Sequence, residues 1–582
     1  MSQRKIKKLK KESQVVANEE SGLLSNTSPY IEIGFWGVVR KYWKFLTILL
    51  VLASLLYFNS LAGNFVSDDY ASITQFPNIG DFWYMFSKDS YANSMYMTNH
   101  FIYSFFGSDS PIPYHFVSFV SYLLVLVVGF VFVLTVFENE TLAMVAMLLF
   151  TVMPIHVEAV SWISGRLYVL LAIYILASML NFIYFINRGK YKNLILSFLF
   201  FVLAFQTDKP RPFALFFIIL IYMFFVGWNR LKKYFSKIWW MLPVVMVVFV
   251  YLAIPYTNVR IDVVNSGING SGGIFYDPFF QYPTAIAKYL QLLWFPIDLT
   301  LYHTMYVIPI WLNWSILIVY LTMLVYFYFN DKRYFFALAF IFAAAAPSMA
   351  PVKVSWLVAE RYMFLGSLGF AIFLALIILD LSKYLKLIPS VLFISLLVFG
   401  MVRTFLRNSD WTTNHDLWVS TCIVSPNSHN AWNNIGDDYD KLKDYSNAIK
   451  GFTQSTIVKP NYADAYHNRA NIFYKVGRLD LARESYQTAI RLNPNLYQTY
   501  MSLIQIDLME KKFDLALANT NRLIDSDRNN PQFKYILGVV YVQSGDLAKG
   551  VETFESILKT NPDFEQAKKA LAELEKSPTT KK

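Results

Sequence analysis

Long runs of apolar residues set the main limit on what this chain can fold into. Several of them reach roughly the 20 residues that a helix needs to cross the hydrocarbon of a bilayer. Of the 582 residues, 55% are hydrophobic and only 16% are charged, which indicates an all-α, polytopic membrane protein. We predict eleven transmembrane helices, at approximately 43–62, 114–137, 141–156, 167–186, 193–207, 212–228, 238–255, 307–329, 334–350, 357–380 and 388–406.

The positions of the basic residues predict how the chain is oriented. Every loop assigned to the inner side is basic, as the positive-inside rule requires, except residues 138–140. The cations of these inner loops are Arg188, Lys190, Lys192, Arg230, Lys232, Lys233, Lys332, Arg333, Lys383 and Lys386. The N-terminus is therefore expected in the cytoplasm and the C-terminus on the other side of a plasma or inner membrane, or of the endoplasmic reticulum in a eukaryote.

The N-terminal region and the single cysteine exclude further classes of protein and of binding site. Residues 1–34 start basic and turn polar, which predicts a disordered cytoplasmic tail. A cleaved signal peptide is the competing interpretation; the lack of a small-residue cleavage site and the many later spans favour an uncleaved helix. Cys422 alone excludes an internal disulfide framework or a cysteine-rich metal site. The net charge of +11 follows from the basic loops and tail, so no nucleic-acid partner is expected.

After Arg407 the sequence becomes a charged helical pattern with a repeat of 34 residues, marked by Pro426, Pro460 and Pro494. One column of the repeat is small and a later one is aromatic; they contain Ala448, Ala482, Ala516 and Gly550, and Phe452, Tyr486 and Phe554. This is the tetratricopeptide pattern. We predict four repeats over 429–562 and a capping helix that reaches 576. The third repeat deviates at Ile504, Asp507, Thr520 and Arg528.

The predicted organisation therefore has five parts. They are a basic cytoplasmic tail (1–34), a transmembrane domain (35–407), a connector (408–428), the repeats with their capping helix (429–576) and a disordered tail (577–582). Stacked repeats form a concave surface, which suits a polypeptide acceptor or a partner protein.

Two adjacent acids, Asp68 and Asp69, lie where the chain leaves the first predicted span on the outer side. A partly desolvated carboxylate at such an edge has a raised pKa and is a better proton acceptor near neutral pH. The alternative is that Ser67 or Asp68 only caps a short surface helix.

Three further polar clusters, at 154–166, 208–211 and 359–362, lie on the same predicted side as Asp68. Burying polar residues at bilayer depth costs free energy, so their presence there needs an explanation. Converging cations suit a phosphate-bearing lipid, because arginine binds phosphate through two N–H groups and lysine as a point charge. The alternative is local ion pairing, of Glu158 with Arg166 and of Glu360 with a distant cation. The shared side favours a common site.

The segments 154–166, 357–370 and Asp68–Tyr70 closely resemble the transmembrane and tetratricopeptide-repeat protein O-mannosyltransferases, a group of GT-C glycosyltransferases. The passage Arg407–Trp411 into the repeats is also similar to that family. The resemblance implies an eleven-helix GT-C core, a polyprenyl-phosphate sugar donor and an inverting transfer of a mannose-like sugar. The acceptor would be a hydroxyl, such as that of a protein serine or threonine, on the non-cytoplasmic face.

The resemblance also implies roles for individual residues. Asp68 matches the proposed catalytic base, and Asp69 matches a second acid that assists acceptor binding or holds a divalent ion. Positions His156, Glu158, Arg166, Lys209, Glu360 and Arg361 match family motifs, and with Arg211 they are our candidates for binding donor phosphate or substrate. The chain departs from the family at Pro210, where Glu is common, and at 97–100, where Arg-Pro-Leu is common. Either departure implies a shifted donor sugar or acceptor.

Cofactors and alternative functions complete these expectations. Mg²⁺ or Mn²⁺ at Asp68 and Asp69 is a possible cofactor, whereas zinc at His100, His115 and His303 is disfavoured by their wide separation. The expected partners are the donor lipid, a polypeptide at the repeats and membrane lipids. The alternative functions are a lipid-linked oligosaccharide ligase or polymerase, which typically relies on a late periplasmic loop, and a non-enzymatic, membrane-anchored repeat scaffold.

Overall fold

The computed structural model describes residues 28–86, 93–208, 211–226, 277–306, 308–349 and 356–576. The chain divides into two compact units, one ending at Val424 and the other beginning at Ser425. The predicted span at 238–255, Lys209 and the tail at 577–582 lie outside the described residues. The predicted domain boundaries stay predictions.

The first unit is built from helices and short helical turns in its described residues. Its helices are α1 (Pro29–Lys41), α2 (Trp43–Tyr57), α3 (Asn93–Phe106), α4 (Ile112–Phe137), α5 (Glu140–Thr151), α6 (Val157–Ser161), α7 (Arg166–Arg188), α8 (Tyr191–Thr207), α9 (Ala214–Val226), α10 (Pro278–Trp294), α11 (Ile310–Asn330), α12 (Lys332–Ala345), α13 (Gly366–Ser382), α14 (Leu387–Ser409) and α15 (Asn414–Val424).

Five helices among the described residues are long and apolar enough to cross a membrane, and the bent pair of α5 with Pro154–Ser161 forms a sixth candidate. All six coincide with predicted spans. The shorter apolar helices α8, α9 and α13 lie where three more were predicted. Length and composition therefore support a membrane protein but do not by themselves reproduce the number eleven.

The predicted span at 357–380 begins too early. Helix α13 starts only at Gly366, and the preceding residues form an irregular segment with one short helical turn, Glu360–Met363. This turn carries Glu360 and Arg361, whose charged groups bind partners on other elements of the fold. Buried polar contacts thus replace the first part of the expected helix.

The helices of this unit differ in how far they are buried by the rest of the protein. The most apolar windows of α4 and α7 are 78% and 83% buried, whereas those of α11 and α14 are only 11% and 17% buried. Apolar side chains of these outer helices, such as Ile318 and Val398, remain exposed. Since water would penalise such surfaces, α11 and α14 are suited to contact lipid, and α4 and α7 form the interior.

The acidic residues at 138–140, the exception among the predicted inner loops, include Glu140, which contacts α1. The Glu140 carboxylate accepts hydrogen bonds from Tyr30 at 2.9 Å and from the Lys41 ammonium at 3.0 Å. Tyr42 donates a further hydrogen bond to the same carboxylate. The charge that breaks the positive-inside pattern is therefore paired with a lysine 99 residues earlier.

The second unit consists of helix pairs that follow the predicted repeats. Its helices are α16 (His429–Lys441), α17 (Tyr445–Val458), α18 (Ala463–Lys475), α19 (Leu479–Leu492), α20 (Tyr497–Met509), α21 (Phe513–Ser526), α22 (Pro531–Ser544), α23 (Leu547–Thr560) and α24 (Glu565–Lys576). Among the described residues these helices form four consecutive pairs followed by one further helix, α24.

The small and aromatic columns of the repeat have the expected packing role. Ala448, Ala482 and Ala516 are fully buried. A Cβ placed on Gly538 would lie 2.3 Å from the ring of Phe554, and one on Gly436 would lie 2.8 Å from that of Phe452. The aromatic rings thus occupy the space that a side chain at the small positions would need.

The deviations of the third repeat are compensated by polar contacts. Asp507 is fully buried, and its carboxylate pairs with Arg483 and accepts a hydrogen bond from Asn519 at 3.0 Å. Thr520 is buried as well, and its hydroxyl donates to the Ala516 carbonyl at 2.7 Å. A buried acid needs such partners, so this repeat retains its fold with different chemistry.

Candidate active site

The segment that carries the two acids is anchored by contacts to distant parts of the first unit. The backbone N–H of Asn64 donates to the Thr412 carbonyl at 2.8 Å, and the Trp162 indole donates to the Val66 carbonyl at 3.3 Å. A single helical turn, Tyr70–Thr74, follows the acids. Its N-cap residue is Asp69, and no side chain caps it. The capping alternative for Ser67 or Asp68 is therefore wrong.

Asp69 is fully buried and ties this segment to the turn before α7. One carboxylate oxygen accepts hydrogen bonds from the Ser164 N–H at 2.8 Å and the Ser164 hydroxyl at 2.5 Å. The other accepts from the Val66 N–H at 3.1 Å. Burial raises the pKa of Asp69 to about 7, although these hydrogen bonds lower it. The geometry suits a structural tie more than contact with a substrate.

Asp68 has the opposite environment from its neighbour. Its side chain is exposed, and the structure shows no hydrogen bond from it to another described residue. The surrounding protein nevertheless raises the pKa of the Asp68 carboxyl by partial desolvation, and the charge of Arg361 opposes this shift. Asp68 is therefore an accessible carboxyl with raised basicity, a property that suits a general base, and it lies close to a guanidinium.

Arg361 and Glu158 form the ion pair next to Asp68. Both oxygens of the fully buried Glu158 bind Arg361, one through its guanidinium and the other through its backbone N–H at 2.8 Å. The Arg361 side chain as a whole is 11% exposed. The alternative pairing of Glu158 with Arg166 is therefore wrong.

Arg166 instead lies in the interior, where its guanidinium contacts Asn99. It is fully buried, donates to the Tyr114 carbonyl at 3.1 Å and binds the side-chain oxygen of Asn99, which is also fully buried. Asn99 belongs to the 97–100 stretch, where we predicted a departure from the family. It provides a partner for a buried cation, and neither side chain is exposed to solvent.

A second guanidinium lies beside that of Arg361. Arg211 pairs with Asp208 and lies 4.6 Å from the centre of the Tyr362 ring, while Arg361 lies 5.0 Å from the same centre. Both also face the ring of Tyr168, at 5.0 and 6.0 Å. We call Asp68, Glu158, Arg361, Arg211, Asp208, Tyr168 and Tyr362 the Asp68–Arg361 cluster. Lys209 is predicted here but lies outside the described residues.

Glu360 belongs to a separate buried cluster, although it precedes Arg361 directly. Its carboxylate accepts from the backbone N–H of Thr300 and lies 3.3 Å from the Arg407 guanidinium and 3.6 Å from His303. Burial lowers the pKa of His303, so Arg407 is the cation that balances Glu360. Arg407 is 47 residues away, as the alternative of a distant cation predicted.

His156 is a core residue in this structure. It is fully buried, its two ring nitrogens lie 3.3 Å from the Tyr122 hydroxyl and 2.7 Å from the Ser367 hydroxyl, and its ring packs against Phe150 and Phe364. The structure therefore places His156 and Glu360 apart from the contacts of the Asp68–Arg361 cluster.

The predicted site residues do not assemble a metal centre among the described residues, where no group of three or more His, Cys, Asp or Glu side chains is found. His100 contacts the Ile79 carbonyl at 2.9 Å, and His115 contacts the Asn64 carbonyl at 3.4 Å. Since both oxygens of Asp69 already accept hydrogen bonds from the protein, Asp68 and Asp69 are poorly arranged to share a divalent ion.

Two tryptophans that were not predicted as site residues link the Asp68–Arg361 cluster to the Glu360–Arg407 pair. Trp162 and Trp411 stack with ring centres 5.6 Å apart, Arg361 lies 5.5 Å from the Trp162 ring, and Arg407 lies 5.8 Å from the Trp411 ring. The spacing of Arg407 and Trp411 by four residues is a helical contact pattern that could have indicated half of this arrangement.

Gly165 allows the close turn that carries Ser164. A Cβ at this position would lie 2.3 Å from the Glu158 carbonyl oxygen and 3.1 Å from the backbone of Ala159. We expect Gly165→Ala to destabilise the protein by about 1–3 kcal/mol, as overpacking against atoms that cannot move does. The thermal unfolding of the detergent-solubilised protein measures this effect.

Gly80→Ala is the matched control, because its Cβ would meet only Tyr103 at an ordinary 3.5 Å. Equal unfolding temperatures of the Gly165→Ala variant and the wild type would contradict the close approach.

Comparisons with known proteins agree with both parts of the fold. Tetratricopeptide-repeat family models match residues 463–496 and 507–574. The chain is 26% identical over 478 residues to human protein O-mannosyl-transferase TMTC3, covering 71% of this chain and 51% of that protein. It is 25% identical over 446 residues to protein O-mannosyl-transferase F38B6.6 of Caenorhabditis elegans, covering 70% of this chain and 62% of that one.

Two solved structures show low similarity to this chain. The tetratricopeptide-repeat protein YrrB is 19% identical, with a TM-score of 0.25, covering 34% of this chain and 97% of that one. MamA is 18% identical with a TM-score of 0.24, covering 25% and 80%. These scores are too low to bear on function.

The chain spans about half the length of the TMTC3 relatives, 51% of each. The resemblance predicted from the motifs is nevertheless confirmed, because the similarity runs through most of this chain and the repeats follow the membrane helices. Over about seven-tenths of its length, the chain is a relative of the transmembrane and tetratricopeptide-repeat protein O-mannosyl-transferases.

Proposed function

We propose that this protein is an inverting membrane glycosyltransferase of the GT-C class. It transfers a mannose-like sugar from a polyprenyl-phosphate donor to a hydroxyl, that of a protein serine or threonine, on the non-cytoplasmic face. The observation that carries the proposal is the Asp68–Arg361 cluster, in which an accessible carboxyl of raised pKa lies near a guanidinium paired with Glu158. The names of the relatives support the reaction class.

In the proposed step, the acceptor hydroxyl gives its proton to the Asp68 carboxylate as its oxygen attacks the anomeric carbon. The bond from that carbon to the phosphate oxygen breaks on the opposite face, and the electron pair leaves with the phosphate. Inversion follows from attack opposite to the leaving group. General-base help of this kind contributes roughly 10²–10⁴-fold in rate.

Arg361 and Arg211 are proposed to neutralise the departing phosphate. Each is already paired with a carboxylate, Glu158 or Asp208, which holds its guanidinium in place. A guanidinium has five N–H donors, and one carboxylate engages only part of them. Lys209 is proposed to add a further charge. Because Asp69 is engaged by Ser164 and Val66, no step is routed through a metal ion.

The acceptor is proposed to be a polypeptide that the repeats bind.

The reaction is tested by incubating the purified protein in vesicles with labelled polyprenyl-phosphate mannose and a Ser/Thr-containing peptide. We expect labelled peptide whose anomeric configuration is opposite to that of the donor. Labelling of a lipid-linked glycan in place of peptide would indicate a ligase, and no transfer to any acceptor would favour a scaffold.

The pH dependence of transfer provides a separate prediction. Desolvation raises the pKa of Asp68 above its ordinary value, and only the deprotonated carboxylate accepts a proton. The rate should therefore fall as the pH drops through this raised pKa, which lies above the roughly 3.9 of an ordinary aspartate. Initial rates at saturating donor measure the acidic limb, and a flat profile down to pH 4 would contradict the assignment.

A further inference from the structure

The residue just before Asp68 is held by a side chain from the other end of the membrane unit. The backbone N–H of Ser67 donates a hydrogen bond of 2.8 Å to the side-chain oxygen of Asn414, 347 residues later. Ser67 has a φ of +53°, in the left-handed region that residues other than glycine seldom occupy. Such a conformation persists only where the surroundings hold it.

A residue close to Asn414 makes a second contact with the segment that carries Asp68. Thr412 accepts the hydrogen bond of the Asn64 N–H at 2.8 Å, so residues 412–414 hold both Asn64 and Ser67. The first of these contacts uses a backbone carbonyl and would survive most substitutions. The second depends on the Asn414 amide, because no other described group accepts the Ser67 N–H.

We propose that Asn414 is a positioning residue for Asp68, which keeps Ser67 in its left-handed conformation and so directs the neighbouring carboxyl towards the substrate. The inference rests on the proposed function of Asp68 as the base. Asn414 is the first residue of α15, directly after the last membrane helix. The site is thus completed by the connector that leads to the repeats, and not by the membrane helices alone.

The test compares Asn414→Ala with Asn414→Asp in the full-length protein. Alanine removes the acceptor, whereas aspartate keeps an oxygen at the same place. Hydrogen exchange of the peptide that covers residues 64–70 should become about tenfold faster in the alanine variant, since one hydrogen bond is lost. The kcat for transfer should fall about 10- to 100-fold with an unchanged donor KM, as expected for a misdirected catalytic group. The aspartate variant should retain both properties.

Ser420→Ala is the control, because its hydroxyl binds only the Leu417 carbonyl within α15. Unchanged exchange in Asn414→Ala would overturn the inference, and so would faster exchange with an unchanged kcat or equal damage in Asn414→Asp. If Asp68→Asn is inactive while Asn414→Ala keeps full turnover, the inference about Asn414 is wrong but the proposed function stands. If Asp68→Asn retains turnover, the proposed function fails, and the inference fails with it.

Discussion

Asp68→Asn is expected to reduce sugar transfer by about 10²–10⁴-fold, the contribution of a positioned general base. The substitution keeps the size of the side chain but removes its ability to accept a proton. Because Asp68 is exposed and makes no side-chain hydrogen bond to another described residue, the fold should not depend on it. Transfer rates with labelled donor and the unfolding temperature in detergent measure the two effects separately.

Asp109→Asn is the matched control, since Asp109 is an exposed acid in the same segment, between α2 and α4. We expect it to transfer sugar at the wild-type rate. An Asp68→Asn variant that transfers at the wild-type rate would remove Asp68 from the mechanism. One that loses its fold along with its activity would show that Asp68 has a structural role that its exposure does not reveal.

Arg361→Met is expected to destabilise the protein by about 3–5 kcal/mol, the cost of leaving a buried charge without its partner. Glu158 has no solvent exposure, and its carboxylate binds the guanidinium and the backbone N–H of Arg361. Methionine preserves much of the length of the side chain but leaves Glu158 with the backbone contact alone. Thermal unfolding of the solubilised protein is the measurement, and transfer should also be lost.

A double variant separates the loss of stability from the loss of transfer. In Glu158→Gln/Arg361→Met the buried charge is gone, and the glutamine oxygen can still accept from the backbone N–H, so most of the stability should return. Transfer should remain absent, because the donor phosphate lacks the Arg361 charge. Lys383→Met, which breaks an exposed pair with Asp380, should cost no more than about 1 kcal/mol. Recovered transfer in the double variant would show that Arg361 acts only through the fold.

Part of the candidate site followed from the positions of charged residues relative to predicted spans. This reasoning placed Asp68, Glu158 and Arg361 on one side of the membrane, and the structure brings these three together. It also grouped His156 and Glu360 with them, although the first is a core residue and the second binds Arg407. Position along the membrane normal cannot tell such residues apart, since it does not specify which way a side chain points.

The sequence by itself determined the six long apolar helical segments and the tetratricopeptide repeats, because apolar run length and a 34-residue period are local properties of the chain. Only the tertiary structure decided which charges pair. Asp68 is exposed while the adjacent Asp69 is bound by Ser164, Glu158 pairs with Arg361 and not with Arg166, and Asn414 holds Ser67. These contacts join residues that are 95 to 347 positions apart in the sequence. Neighbouring side chains also point in different directions, so a local sequence pattern cannot predict which residues pair.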